Sequence, residues 1–324
     1  MSDFTRDQFG GEEPTATVII CTRNRAESLR RTLDSIVEAS VTAAELTDLV
    51  WELLIVDNGS TDATQSVVRG FSDRLSIRSV VEPLPGLSNA RNAGIAAARG
   101  KYIIWTDDDV LVDERWLFSY LQAFRDYPEM HLFGGKAVPK YLQPATGWFV
   151  ESENQIKSLL AIRDNPDWFF LERGRLPFGL NYAVRRDVQL QHRYNPDLGV
   201  APGRRTGGEE TSMLLAALAD GAKGKWIWDA KVYHLIPTER QSLQYIFDYY
   251  RAQGNLYPKC DPRETGSAAR RIAIANSILQ ICFKRFSTFV RKALGRKSWV
   301  GTYTEYARWV GTADHLRAMD AEHA

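Results

Sequence analysis

Sulfur and long apolar runs are scarce in this chain. Its 324 residues include only three cysteines, Cys21, Cys260 and Cys282, and these lack the spacing of a metal site or a disulfide framework. No stretch approaches the ~18 apolar residues of a membrane-spanning helix, and the polar start of the chain lacks a signal-peptide core. These absences predict free thiols without a disulfide, and a cytoplasmic protein.

Net charge is also nearly absent. Lys plus Arg number 41 and Asp plus Glu number 40, while 44% of the residues are hydrophobic. The whole-chain balance therefore gives no sign of a nucleic-acid partner, and the hydrophobic content is enough for a substantial core. We expect one large domain with an appendage, or two domains, and no nucleic acid bound.

Short apolar runs alternate with helical patterns in the first third of the chain. The runs cover residues 17–21, 51–56, 77–81 and 102–105. Because parallel neighbouring strands need helical crossovers, this alternation predicts an α/β fold with a doubly wound, mostly parallel sheet flanked by helices.

The pattern is less regular beyond Asp126. We predict strands at 131–138 and 178–184, two short strands at 226–228 and 231–233, and a helix at 211–220. The long connection at 141–177 is predicted to be partly helical or a lid.

Three consecutive aspartates, Asp107, Asp108 and Asp109, follow the fourth apolar run. If the strand stays extended there, Asp107 and Asp109 point to the same side. Adjacent carboxylates repel one another unless a hard cation such as Mg²⁺ or Mn²⁺ joins them, and such ions keep room for phosphate oxygens. The triplet alone leaves two interpretations open: a metal–diphosphate site, or a solvated acidic turn before the next helix.

Six motifs occur in a familiar order. They are VIICTRNR from residue 18, IVDNGSTD from 55, GLSNARNAGI from 86, YIIWTDDD from 102, GGEET from 207 and DAKVYH from 229. Together they resemble the family 2 glycosyltransferases of the GT-A fold, over residues 18 to 254. The resemblance implies a GT-A fold with a Rossmann-like sheet and a helical C-terminal extension. It also implies a nucleotide-sugar donor, a divalent metal (Mg²⁺ or Mn²⁺) and sugar transfer with inversion.

The resemblance also implies a domain organisation. Residues 15–126 would bind the nucleotide sugar and residues 127–258 the acceptor. Residues 1–14 would be a flexible N-terminus and residues 259–324 a basic, helical extension. The acceptor would carry its hydroxyl on a glycan, a lipid-linked molecule or a small molecule, as is typical of polysaccharide biosynthesis.

Each motif supplies candidate site residues. Those expected at the nucleotide sugar are Thr22, Arg23, Asn24, Asp57, Arg91, Asp107 and Asp108. Asp57 is suited to accept a hydrogen bond from a pyrimidine imide, and Arg91 to place charge or a stacking plane near the nucleotide. A UDP-sugar is therefore the expected donor, although Asn58 stands where many relatives have a second aspartate.

The metal ligands implied are Asp109, His234 and Asp107. Inversion needs one general base opposite the leaving diphosphate, and the candidates are Glu210 and Glu209. The family usually has Asp at the second position of this pair, so Glu210 is the expected base. The glutamate found there leaves open whether Glu209 accepts the proton instead.

The C-terminal segment 265–304 contains no Asp or Glu, and its Lys and Arg residues alternate with large apolar residues. This pattern predicts a basic amphipathic helix. Two interpretations remain: the helix lies on an anionic membrane surface, which would place the protein at the inner face of the cell membrane, or it packs on the catalytic domain with its basic face in water.

Two other function classes share some of these features. A sugar-phosphate nucleotidyltransferase would have a Gly-rich phosphate loop after the first strand, and residues 22–25 do not form one. A non-catalytic carbohydrate- or nucleotide-binding protein would need neither metal aspartates nor a base. Glycosyl transfer is therefore the function that the sequence favours.

Overall fold

The computed structural model describes residues 13–205, 207–256 and 267–322. The strands are β1 Ala16–Thr22, β2 Trp51–Asp57, β3 Ile77–Val81, β4 Tyr102–Asp107, β5 Val110–Val112, β6 Leu132–Tyr141, β7 Asn181–Arg185, β8 Val200–Ala201, β9 Arg204–Arg205 and β10 Gly224–Ile236. The helices are α1 Ala26–Ala43, α2 Thr64–Arg69, α3 Leu87–Ala97, α4 Trp116–Asp126, α5 Gly147–Val150, α6 Lys157–Leu160, α7 Arg186–Gln191, α8 Glu209–Ala219, α9 Leu243–Leu256, α10 Ser267–Ala293 and α11 Trp299–Glu322. The predicted α/β class with C-terminal helices is confirmed.

Within the described residues the main sheet has the strand order β3-β2-β1-β4-β7-β6-β10-β5. The four strands predicted from apolar runs are β1 to β4, and they form its parallel part. β7 pairs antiparallel with β4 and β6, and β10 pairs antiparallel with β5. The mostly parallel half thus ends where the pattern of the sequence becomes irregular.

Helices cover both faces of the parallel strands. Ile20 and Ile104 belong to a core cluster with residues of α1 and α4. Their neighbours Ile19 and Trp105 belong to a second cluster with residues of α3 and α8. Side chains alternate between the faces of a strand, so a strand buried on both faces has a continuous apolar run. This burial explains why these strands were visible in the sequence.

The chain divides into two compact units. The first comprises the residues up to 140 together with 161–203 and 208–235, and the second comprises 141–160, 204–207 and 236 onward. Every candidate site residue belongs to the first unit. The assignment of nucleotide-sugar and acceptor halves is a functional one and stays a prediction; its boundary at 258 lies outside the described residues.

Two details of the first unit differ from the sequence prediction. β10 is one long strand, whereas two short strands were predicted at 226–228 and 231–233. The apolar pattern is interrupted at Asp229, whose side chain faces solvent, while main-chain pairing does not depend on the polarity of the side chain. The aspartates are the second difference, because β4 ends at Asp107 and a turn follows. The extended chain assumed for Asp107 and Asp109 is therefore wrong.

The second unit is helical, and α11 packs against both α9 and α10. A Cβ atom on Gly254 of α9 would lie 2.0 Å from the carbonyl oxygen of Arg308, and one on Gly311 of α11 would lie 1.9 Å from that of Arg251. These glycines let the two backbones meet, as small residues do at close helix crossings. The predicted connection at 141–177 is partly helical, since α5 and α6 lie in it.

The prediction of one basic helix over residues 265–304 is wrong, because α10 ends at Ala293 and α11 follows. Gly295 has φ +64°, its N–H donates to the carbonyl of Lys292, and the N–H of Arg296 donates to that of Arg291. These two bonds form a Schellman end, which favours glycine at the left-handed position. No helix in the described part of the chain is long and apolar enough to cross a membrane.

Candidate functional site

The ends of three parallel strands bring the predicted donor residues to one edge of the sheet. Thr22 at the end of β1 pairs in register with Asp57 at the end of β2. On its other side β1 pairs with β4, with Cys21 opposite Asp107. Ligands of open α/β sheets bind outside the carboxyl ends of the strands. This edge is therefore where a site is expected.

The loop after β1 is tied to the loop after β2. Arg23 Nη1 donates to the carbonyl of Asn58 at 2.8 Å. Asn24 has φ +52°, its N–H donates to Ser60 Oγ at 2.9 Å, and its Oδ1 accepts from the N–H of Thr61 at 2.7 Å. Asparagine tolerates this left-handed conformation better than most residues. The sequence therefore fixes the mutual position of two loops at the edge of the sheet.

Asp57 is 2% exposed and keeps its carboxylate oriented through two hydrogen bonds. Oδ1 accepts from the N–H of Ser60 at 2.8 Å, and Oδ2 accepts from Gln65 Nε2 at 2.6 Å. A carboxylate offers about four acceptor positions. Asp57 thus retains capacity to accept from a base N–H.

Asn58 holds the loop that leads to α3. Its Nδ2 donates to the carbonyls of Glu82 and Leu84 at 2.8 and 2.7 Å, and its Oδ1 accepts from the N–H of Gly86 at 2.8 Å. An aspartate cannot donate the first two bonds. The departure from the usual second aspartate therefore suits this local structure.

Arg25, which the sequence analysis missed, contacts two of the three aspartates. Its guanidinium forms ion pairs with Asp108 and Asp109, the latter with 3.1 Å between Nη2 and Oδ2. Thr22 Oγ1 also donates to Asp108 Oδ2 at 2.7 Å. Arg25 belongs to the first motif, but its partners lie more than 80 positions later. Only the fold brings them together.

More carboxylates than cationic side chains lie at this edge of the sheet. Burial raises the pKa of Asp107 to about 6 and that of Asp108 to about 7, and neighbouring carboxylates add to both shifts. Arg25 opposes both shifts, and Arg91 opposes that of Asp107. The Asp107 side chain nevertheless remains 36% exposed, so part of it faces solvent. A site with this balance of charge favours a bound cation.

His234 reaches the aspartates through the pairing of β10 with β5, where it lies opposite Val110. Its Nε2 is 3.9 Å from Asp109 Oδ2. No cluster of three or more His, Cys, Asp or Glu with metal-site geometry occurs among residues 13–205, 207–256 and 267–322. The candidate donors that lie together here are one carboxylate and one imidazole, those of Asp109 and His234. That set fits a Mg²⁺ or Mn²⁺ ion that takes its other oxygens from substrate phosphates and water.

Arg91 is buried, at 3% exposure, and connects the aspartates to α8. Nη1 donates to Glu209 Oε1 at 2.7 Å, and Nη2 lies 3.4 Å from the carbonyl of Gly179 and 3.8 Å from Asp107 Oδ1. Its guanidinium also lies over the Tyr194 ring, 5.3 Å from the centroid. The structure thus gives Arg91 protein partners, and its predicted role beside the nucleotide stays a prediction.

The two glutamates at the start of α8 have different surroundings. Glu209 is 4% exposed and paired with Arg91. Glu210 is half-buried, and burial followed by the charge of Glu209 raises its pKa to about 7, although Arg91 opposes the shift. A Cβ atom on Gly179 would lie 3.0 Å from Arg91 Nη2 and 3.3 Å from Glu210 Cδ. Glycine at 179 therefore leaves room for both side chains, and no feature of the sequence indicated this role.

Free thiols were predicted, and Cys21 and Cys282 carry them. Burial raises the pKa of the Cys21 thiol to about 12, so it is a poor nucleophile. Cys260 lies outside the described residues.

Comparison with known proteins agrees with this geometry. Residues 17–159 match the profile of the family Glycosyl transferase family 2, and the resemblance predicted from the motifs is confirmed over this range. The chain is 34% identical over 112 residues to validoxylamine A glucosyltransferase of Streptomyces hygroscopicus. The aligned region covers 34% of this chain and 25% of that protein. It is 24% identical over 181 residues to a glucosyl-dolichyl phosphate glucuronosyltransferase of Haloferax volcanii, over 54% of each protein. The chain thus spans only about a quarter of the first relative.

A solved structure shares the fold over nearly the whole chain. A mannosyltransferase from Pyrobaculum calidifontis, in complex with GDP-Man and Mn²⁺, superposes with a TM-score of 0.55 at 18% identity. The match covers 96% of this chain and 87% of that protein. It supports the GT-A fold predicted from the motifs.

Proposed function

We propose that the chain is an inverting glycosyltransferase that moves a sugar from a nucleotide sugar to an acceptor hydroxyl by single displacement. The observation that carries the proposal is Arg91, whose guanidinium lies within 4 Å of both Asp107 at the end of β4 and Glu209 beside Glu210. The edge that we propose binds the donor and the glutamate pair that we propose supplies the base are thus both in contact with one buried cation. Glycosyl transfer with inversion needs both.

The donor is proposed to be a UDP-sugar. The Asp57 carboxylate, fixed by Ser60 and Gln65, would accept the imide N–H of uracil, and Thr22, Arg23 and Asn24 would border the base and ribose. Asp107 and Asp108 would contact the ribose. A guanine base would offer the same carboxylate two donors, so the nucleotide has to be tested directly.

Asp109 and His234 would hold Mg²⁺ or Mn²⁺, with Asp107 nearby. When bound, the ion would supply positive charge to the leaving diphosphate. Arg25 already pairs with Asp109, so it would help to orient this carboxylate.

Glu210 is the proposed general base. A base works best when its pKa is close to the operating pH, and the pKa of Glu210 is raised to about 7. Glu209 is a weaker candidate, because its Oε1 already accepts from Arg91 at 2.7 Å. We assign Glu209 and Arg91 the role of positioning residues: they hold the first turn of α8 so that Glu210 receives the acceptor proton.

The acceptor class remains a glycan, a lipid-linked molecule or a small molecule. A location at the inner face of the cell membrane would favour the lipid-linked class. The alternatives, a sugar-phosphate nucleotidyltransferase and a non-catalytic binding protein, predict different products or none.

The test uses the full chain with UDP-, GDP- and dTDP-sugars, with and without Mn²⁺. We expect one nucleotide class to raise the melting temperature only with the metal, because a ligand that binds the native state stabilises it. We also expect slow release of nucleoside diphosphate from the same donor. With pyrophosphate added, formation of a nucleoside triphosphate together with a sugar 1-phosphate would indicate nucleotidyl transfer, and stabilisation without turnover on any acceptor class would favour a binding protein.

A further inference from the structure

One face of α10 presents large apolar side chains to solvent. Its most exposed members are Ile272 at 70%, Leu279 at 69%, Phe283 at 62%, Phe286 at 66% and Phe289 at 71%. We call these five residues the α10 stripe. Single exposed apolar residues are common on proteins, but a contiguous apolar patch on one element marks an interaction surface.

The stripe follows helical geometry. At 100° per residue, Ile272, Leu279, Phe283 and Phe286 lie within about 60° of one another around the helix axis. Phe289 lies about 60° beyond Phe286 and forms one edge of the stripe. The opposite side of α10 is fixed to α11: Ser277 is fully buried, and Arg270 Nη1 donates to the carbonyl of Met319 at 3.2 Å. The stripe therefore points away from the helix on which α10 packs.

Basic residues accompany the stripe, and acidic residues do not. Arg271, Arg285 and Lys292 are exposed on α10, while no Asp or Glu occurs from 265 to 304. A second copy of the chain would bring the same basic residues face to face, since a twofold interface pairs a patch with itself. An anionic surface complements this charge. An anionic lipid surface, which has an apolar interior, also complements the stripe.

We propose that the α10 stripe inserts into an anionic lipid surface, with Arg271, Arg285 and Lys292 at the headgroup phosphates. α10 lies flat in the interface, because its inner side stays packed on α11. Amphipathic helices of this kind bury their apolar face ~5–10 Å deep at the boundary between headgroups and acyl chains. The long basic side chains reach back to the phosphates while their stems cover apolar surface.

The expected effects are large for each side chain. Burying one Leu or Phe side chain changes a partition coefficient by about tenfold or more. Each Lys or Arg near an anionic surface contributes roughly a further fivefold, and this part is lost in high salt. Stripe and charge variants are therefore distinguishable by their salt dependence.

The experiment is flotation of the full chain with vesicles, either phosphatidylcholine alone or phosphatidylcholine with phosphatidylglycerol. We expect binding to the anionic vesicles at low salt, weaker binding to the neutral ones, and a decrease on addition of salt. Leu279→Asp and Phe286→Asp should each lower the vesicle partition coefficient tenfold or more. The matched control is Val41→Asp, because Val41 is 73% exposed on α1, and it should leave binding unchanged.

Cys282 gives an independent signal, because this exposed residue is adjacent to Phe283 on α10. In a Cys260→Ser background, an environment-sensitive fluorophore on Cys282 should shift to shorter wavelength with anionic vesicles. Cys21 should label slowly, since burial raises its pKa.

Three results would overturn the proposal. One is no flotation with anionic vesicles at low salt, and another is binding that the stripe variants leave intact. The third is a dimer in solution that Leu279→Asp converts to a monomer, which would assign the stripe to a second copy of the chain. None of these measurements uses sugar transfer, so their outcome is separate from the proposed function.

Discussion

Removing the guanidinium of Arg91 should destabilise the protein strongly. Arg91 and Glu209 are 3% and 4% exposed, with 2.7 Å between Nη1 and Oε1. Arg91→Met keeps most of the volume but leaves the Glu209 carboxylate buried without its main partner, and removing one member of a buried pair costs about 3–5 kcal/mol. The variant Arg91→Met/Glu209→Met removes both charges and should recover about 1–3 kcal/mol of this loss, since residues in contact are not additive.

The assay is urea denaturation followed by near-ultraviolet circular dichroism, from which the free energy of unfolding is obtained. The control is Arg185→Met. Arg185 also has an aspartate at 2.7 Å, Asp187, but the two side chains are 25% and 58% exposed, so the loss should stay below about 1 kcal/mol. A cost for Arg91→Met as small as the control's, or a double variant as unstable as the sum of the single variants, would refute the reasoning.

Three further predictions concern the metal, the base and the helical unit. Asp109→Asn should abolish the effect of Mn²⁺ on nucleoside diphosphate affinity in calorimetry, because the amide lacks the charge that attracts the ion; equal affinities in variant and parent would contradict it. The ratio kcat/KM should rise about tenfold per pH unit below ~7 and level off above it. The reason is that a general base must be deprotonated, and the pKa of Glu210 is raised to about 7. A pH profile that falls through this range would contradict Glu210 as base. Gly254→Val should lower the free energy of unfolding by about 1–3 kcal/mol, because its Cβ would lie 2.0 Å from the Arg308 carbonyl. Gly147→Ala is the control, with nothing within 4 Å of the added atom, and similar losses in both would contradict the close packing of α9 on α11.

The parallel half of the fold was predictable because its signals are local. β1 to β4 are apolar runs that end in polar residues, and burial on both faces makes such runs continuous. The polar residues at the ends of these strands also predicted which side chains would lie at one edge of the sheet. The strand register pairs Thr22 with Asp57 and Cys21 with Asp107. The roles assigned to these residues stay predictions.

The rest depends on partners distant in sequence. Nothing near Arg25 indicates that it pairs with Asp108 and Asp109, and nothing near Arg91 indicates Glu209, 118 residues later. The sequence predicted two strands in place of β10, because main-chain pairing does not require apolar side chains and so is not visible in the apolar pattern. The end of α10 was predictable in principle from Gly295, but the continuing basic pattern after it concealed the break.

The central claim is that Glu210 accepts the acceptor proton in an inverting transfer. Its most direct test is the turnover number of Glu210→Gln and of Glu209→Gln, each beside its donor affinity, with the anomeric configuration of the product read by NMR. We predict that Glu210→Gln lowers turnover about 10²–10⁴-fold at nearly constant donor affinity, that Glu209→Gln costs less, and that the product has the inverted configuration. A larger loss for Glu209→Gln would move the base by one residue, and a retained configuration would contradict single displacement.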